Sequence, residues 1–195
     1  MRRLHFMHVE ETRLSGVYLM EPERFNDERG FFARSWSIAE LNALGITAPF
    51  IESNLSYNHR RGTLRGLHWQ AAPHGQAKLI RCTKGTVFDV GVDIRPDSRT
   101  YGQWLAIELS AENRLMLYLP DGFAHGYLTL ADASEVNYLV TSEYAPESAR
   151  GARWNDPAFG IGWPQLDEVI INDRDKNYRD FRLEGPVSTG SSGNG

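Results

Sequence analysis

The sequence predicts an all-β protein, an antiparallel β-barrel or jelly roll with a few short helices. Three observations carry that expectation. Apolar residues recur at every second position through the middle of the chain, as half-buried strands require. Turn-forming clusters separate these runs at short intervals. Helical spacing is clear in only one brief segment.

That segment comes first along the chain. Ser37-Ile-Ala-Glu40 has capping-box spacing, with the serine before the helix and the glutamate at its third position. Leu41 and Leu44 give a short apolar face, and Gly45 is placed to end the helix. Arg61 to Gln70, RGTLRGLHWQ, reads as a strand of unusual content. Leu64 and Leu67 break strict alternation, and Arg65 and His68 are costly to bury without partners. Next, Phe88, Val90, Val92 and Ile94 alternate with Val87, Asp89, Gly91 and Asp93. Leu105, Ile107 and Leu109 form another period-two set, as do Leu115, Leu117 and Leu119. Lys84-Gly85, Arg95 to Ser98 and Pro120 to Gly122 supply turns. Short strands at this spacing favour a sandwich or barrel over alternating strand–helix units. The final stretch, GPVSTGSSGNG, is small, polar and glycine-rich. One domain is therefore expected over residues 1–184, with a disordered tail over 185–195.

Composition bounds the function. The chain has 195 residues, 41% hydrophobic and 24% charged, enough to bury a substantial core. A net charge of −4 gives no global pull toward nucleic acid or an anionic membrane, so neither is an expected partner. An anionic ligand must then be met by a local cluster of Arg and Lys. Cys82 is the only cysteine, which excludes an intrachain disulfide and fits a reducing compartment. No run approaches the roughly 20 apolar residues of a membrane span, and no apolar leader core follows the basic opening MRRLHFMHVEE. A cytoplasmic protein is expected.

Pro120-Asp-Gly-Phe-Ala-His125 resembles the P-x-G-x-x-H pattern in the second motif of metal-binding cupin barrels. A first-row metal would want about three or four ligands from His, Asp or Glu. The partner segment offers His68-Trp-Gln70, where a metal cupin offers His-x-His and a later glutamate. Two histidines alone leave two readings open, a metal site or a hydrogen-bonded core pair.

Further stretches decide between them. They are Phe25-Asn-Asp-Glu-Arg-Gly-Phe31, Leu64-Arg-Gly-Leu-His-Trp-Gln70, Gln76-Ala-Lys-Leu79 and Val87-Phe-Asp-Val-Gly-Val-Asp93. Asp97 to Gly102, Leu109-Ser-Ala-Glu-Asn113, Pro120 to Tyr127, Tyr144-Ala-Pro-Glu147 and Trp154-Asn-Asp-Pro157 continue the run. In order and spacing, over residues 17 to 180, the chain closely resembles the dTDP-4-dehydrorhamnose 3,5-epimerase family, cupin-like enzymes acting on nucleotide sugars.

The resemblance implies a nucleotide-diphosphate sugar as substrate, a 4-keto-6-deoxyhexose. Protons on C3 and C5 flank the C4 carbonyl, so removing either gives an enolate. The reaction needs a base on one face, an acid on the other, and a cation near the carbonyl oxygen. It needs no cofactor and no metal, because the substrate already carries the ketone. By resemblance His68 is the base, with an unperturbed pKa near 6.5 that suits proton abstraction. Asp175 orients that histidine, Tyr138 is the acid, and Lys78 sets its ammonium near the carbonyl oxygen. Arg65 and His125 belong to the same pocket, and Arg29 and Arg65 meet the diphosphate. Tyr144 stacks on the nucleobase, Asn54 contacts the nucleotide, and Arg174 binds substrate where the family commonly has lysine. Read without the resemblance, Asp175 is a solvated loop residue, Tyr138 is packing and Lys78 is an exposed strand lysine.

Some positions depart from the family pattern. Arg34 stands for glutamate, Glu52-Ser53 for Gln-Asp, and Ala149 for another glutamate. The departures fall on nucleotide binding, so a GDP- or CDP-linked substrate, or inversion at only one carbon, stays open at this level. A metal-dependent cupin enzyme and a catalytically silent nucleotide-sugar-binding protein are the competing classes. The resemblance also implies a homodimer in which N-terminal residues complete a neighbouring sheet, so that Arg29 serves the partner's site.

Overall fold

The computed structural model describes residues 2, 3 and 6–183; the tail expected over 185–195 lies outside the described residues. The chain runs through β1 (Arg2–Arg3), β2 (Met7–Glu11), β3 (Tyr18–Pro22), β4 (Arg24–Asp27), β5 (Gly30–Ala33) and α1 (Ile38–Ala43). It continues through β6 (Glu52–Asn58), β7 (Leu64–Gln70), β8 (Lys78–Lys84), β9 (Thr86–Asp93) and β10 (Trp104–Ser110). β11 (Met116–Leu119), β12 (Phe123–Thr129), β13 (Ser134–Val140), β14 (Ala149–Gly151) and α2 (Asp173–Lys176) complete it.

Among the described residues the strands form a seven-stranded sheet, β1-β2-β3-β11-β8-β13-β6, a five-stranded sheet, β10-β9-β12-β7-β14, and the β4–β5 hairpin. Neighbouring strands pair antiparallel. Two of the period-two sets, from 105–109 and 115–119, meet between the two large sheets, whereas Phe88, Val90, Val92 and Ile94 face the outer side of the five-stranded sheet. Ile80, Leu117, Leu119 and Val136 from one sheet pack with Val87, Leu105, Leu109 and Phe123 from the other. This is the all-β jelly roll that the alternation anticipates. Gly85 and Gly122 occupy the expected turns at φ 73° and 80°, a region where a side chain would be strained. No helix among the described residues is long and apolar enough to cross a membrane.

Two outer layers finish the packing. Leu41 and Ile46, around α1, cover Met7, Leu79, Met116 and Tyr118 on the outside of the seven-stranded sheet. Ala152, Phe159 and Trp163 cover Leu64, Leu67 and Val90 on the outside of the five-stranded sheet. The helix forms where expected, but the capping box does not. Ser37 is the N-cap yet makes no side-chain cap bond. Glu40 is buried and accepts the Phe6 N–H at Oε1, 2.6 Å away, so it ties α1 to the entry of β2 instead.

The broken alternation in β7 has a local cause. Pairing with β12 shifts register between His125 and Tyr127, so Leu64 and Leu67 both face the outer cluster. Gly66 and Gly126 meet at this shift. A Cβ on Gly126 would stand 2.8 Å from the Arg65 carbonyl oxygen, and one on Gly66 would stand 2.5 Å from the Gly126 Cα. Backbone cannot yield as a flexible side chain does. Gly126→Ala is expected to cost about 2 kcal/mol, as overpacking does, and to lower the melting temperature by roughly 4–8 °C in calorimetry.

Candidate active site

The site is built from the inner faces of both sheets. β7 contributes Arg65 and His68, and β12 contributes His125, paired in register with His68. From the facing sheet, β8 brings Lys78, β13 brings Tyr138, and β6 brings Glu52, Asn54 and Ser56. Alternation puts Ser53, Leu55 and Tyr57 on the outer, exposed side of β6. Two cavities, of about 270 and 190 Å³, share His68, Lys78 and Tyr138 in their walls and together form one cleft.

His68 sits at the junction. Its Nε2 lies 2.8 Å from Oδ1 of Asp175, whose side chain is 1% exposed. Asp175 is fixed from two further sides. Its Oδ2 accepts the Gly66 N–H at 3.1 Å, and its own N–H donates to the Oδ1 of Asn172, the N-cap of α2, at 2.7 Å. Burial works to raise the Asp175 pKa, but the bonds from His68 and Gly66 outweigh it and hold the carboxyl below its usual range. An ionised Asp175 keeps a proton on Nε2, so the neutral ring presents Nδ1 as its lone pair. A His–carboxylate couple of this kind is able to act as a general base.

The facing wall carries Lys78 and Tyr138. Lys78 is 8% exposed, and its Nζ donates to Gln76 Oε1 at 3.0 Å. Burial depresses its pKa to about 8, against the pull of Asp121. Tyr138 is pushed above the ordinary phenol value by burial, with Arg65 pulling the other way. It is therefore a protonated donor across the neutral range. A second couple, His125 Nε2 with the fully buried Asp89, measures 3.0–3.1 Å.

Asn54, Tyr144 and Arg174 gather around the larger cavity. Tyr144 is 61% exposed, leaving its ring face open for stacking. The Arg174 pKa is raised by the nearby Tyr178 and by a hydrogen bond with Tyr144. Of the departures from the family pattern, Glu52, Ala149 and Arg174 line this cavity, whereas Arg34 lies over the Phe6 ring at 4.1 Å.

Arg29 is the exception among the expected residues. It stands at the turn of the β4–β5 hairpin, exposed, with its guanidinium 2.5 Å from Asp27, and it lines neither cavity. A four-residue turn puts Asp27 within immediate reach, and the hairpin carries Arg29 away from the chain's own cleft. The sequence reading passed over Asp89, Ser56, Asn58 and Tyr127. For Ser56 and Asn58 a signal was present in the polar residues at alternate positions 54, 56 and 58. Among the described residues no group of three or more His, Cys, Asp or Glu is placed to hold a metal ion.

Comparison with known proteins extends over most of the chain. The family model described as dTDP-4-dehydrorhamnose 3,5-epimerase matches residues 11–182. A protein of that name from Methanothermobacter thermautotrophicus is 44% identical over 179 residues, 91% of this chain and 95% of the relative. The crystal structure of one from Elizabethkingia anophelis superposes with a TM-score of 0.87 at 37% identity, covering 91% of this chain and 97% of that one. Another, from Bacillus anthracis with TDP and PPi bound, gives 0.86 at 41% identity, covering 90% and 99%.

Proposed function

The chain belongs to the dTDP-4-dehydrorhamnose 3,5-epimerase family, and from that premise we propose how its residues perform the reaction. The protein epimerises a nucleotide-linked 4-keto-6-deoxyhexose at C3 and C5, converting dTDP-4-dehydro-6-deoxyglucose to dTDP-4-dehydrorhamnose. The observation that carries the assignment of roles is His68 on one sheet, coupled to Asp175 of α2, with Tyr138 and Lys78 on the facing sheet. His68 Nδ1 takes the proton from C3 or C5, and Asp175 stabilises the imidazolium that results. The electron pair moves onto the carbonyl oxygen, where the Lys78 ammonium opposes the new charge. Tyr138 returns a proton to the opposite face of the same carbon, inverting it. Solvent then reprotonates the phenolate and takes the proton from His68.

Arg65 and His125 hold the substrate in the smaller cavity, with Arg65 on the diphosphate. Asn54, Tyr144 and Arg174 hold the nucleotide in the larger one. Deuterium entering both C3 and C5 in D₂O, followed by NMR with dTDP-, GDP- and CDP-linked substrates in parallel, tests the reading. No exchange with any of them, from folded protein, overturns it.

Lys78 sets the alkaline limit in this scheme. Its ammonium is present below about pH 8 and lost above it, while Tyr138 stays protonated through that range. The rate is expected to fall about tenfold per pH unit above 8. In Lys78→Arg the guanidinium does not titrate there, so the alkaline limb should disappear from whatever activity remains.

The protein is also read as a cytoplasmic homodimer. The β4–β5 hairpin exposes Phe25, Phe31 and Phe32 at 45, 45 and 68%, a cost that a partner would relieve. The same hairpin carries Arg29, which on this reading reaches the diphosphate of the partner's site. Mixing His68→Ala with Arg29→Ala protomers is expected to restore activity, because one hybrid site is then intact. If Arg29 served its own chain, the mixture would stay inactive.

A further inference from the structure

One buried side chain beside the cleft has no part in the proton transfers, yet it decides where a cation points. Arg65 is exposed, and a long exposed arginine has wide rotamer freedom. Here its Nε donates to Oδ1 of Asn58 at 2.9 Å. Asn58 is 2% exposed and is held in turn. Its Nδ2 donates to the Ser134 carbonyl and to the Tyr127 hydroxyl, each at 3.2 Å. That hydroxyl also shares a 2.8 Å bond with Ser56 Oγ. With its amide nitrogen committed to a backbone carbonyl, Asn58 can turn only its oxygen toward Arg65.

The acceptor's neutrality matters as much as its place. Both groups that Arg65 reaches, Asn58 Oδ1 and the more distant Tyr57 carbonyl at 3.5 Å, are uncharged. The guanidinium is aimed without being neutralised, and its terminal nitrogens keep donors for the oxygens of an anion. A carboxylate at position 58 would accept from the same Nε but cancel the charge, and it would set an oxygen against the Ser134 carbonyl in place of the Nδ2 donor.

We propose that Asn58 is a positioning residue that holds Arg65 on the substrate diphosphate. The proposal rests on the assignment of Arg65 as a diphosphate ligand. A double-mutant cycle tests it, read by calorimetric binding of dTDP and of inorganic pyrophosphate to wild type, Asn58→Ala, Arg65→Ala and the double variant. Asn58→Ala is expected to weaken binding about five- to tenfold, the loss of a pre-organised arginine, and by under about twofold when Arg65 is already alanine. Asn58→Asp is expected to lose at least as much as alanine, because it neutralises the cation it holds. Asn58→Ser replaces the alanine variant if that protein fails to fold. Equal losses in both backgrounds, or wild-type affinity in Asn58→Asp, overturn the proposal and leave the epimerase reading standing. A wild-type protein that binds neither probe overturns the diphosphate assignment and this proposal together.

Discussion

His68→Ala is expected to leave a folded protein that incorporates deuterium at C3 and C5 about 10²–10⁴ times more slowly, the usual worth of a positioned general base. The fold should survive because the His68 side chain is 43% exposed and fills no core position. The change does reach Asp175, which loses the bond that does most to hold its pKa down. A carboxyl with a depressed native pKa contributes stability above its unfolded value, near 3.9, and loses that contribution as pH falls through the native value. With the depression reduced, the variant should stay folded but be less stable than the wild type near neutral pH. The difference should close as pH falls through the native value, and the variant should unfold at a higher pH on acid titration. Circular dichroism against pH, beside the exchange assay, reads both effects. Full activity in the variant would remove His68 from the role of base.

Tyr138→Phe is expected to separate two events that the wild type couples. The phenol lies on the inner face of β13, with its ring against the central core, and phenylalanine keeps that packing. What it removes is the proton delivered to the far face of the enolate. His68 can still take a proton, exchange it with solvent and return deuterium to the face it left. Inverted product should therefore fall about 10²–10⁴-fold, while deuterium enters with retained configuration. Chiral analysis of the recovered sugar, set against total deuterium, distinguishes the outcomes. Inversion at the wild-type rate would show that the acid is another group.

The legible parts of this molecule were those governed by local periodicity. Strands 86–93, 104–110 and 116–119 follow directly from alternate apolar residues, and the turns between them from glycine. The irregular β7 could be read as irregular, but its cause, a register shift against β12, is a non-local pairing that no single segment contains. Glu40 misled for a related reason. Capping-box spacing is a local rule, whereas the Phe6 N–H that won the carboxylate lies 34 residues away in the chain. The residues proposed as catalytic were legible only through motif resemblance. Asp175 and His68 are separated by 107 residues, and nothing in the composition of Asn172 to Asp175 marks it as a neighbour of β7. Arg29 was readable as a phosphate-binding type, and the expectation that it serves a partner's site came from the resemblance alone, since no local pattern marks where a hairpin will act.

The division of the cleft between two sheets has a consequence for how selectivity is set. His68 and Tyr138, the proposed proton acceptor and donor, hang from separate layers, whose backbones stand about 10 Å apart in a packed sandwich. That gap is a calliper closed on a sugar ring, and its setting belongs to side chains that never meet the ligand. Val136, Leu117 and Phe123 lie in the filling between the jaws. On the proposed roles, enlarging or trimming any of them is expected to alter the span between His68 and Tyr138, and with it which of the two ring carbons is caught in line.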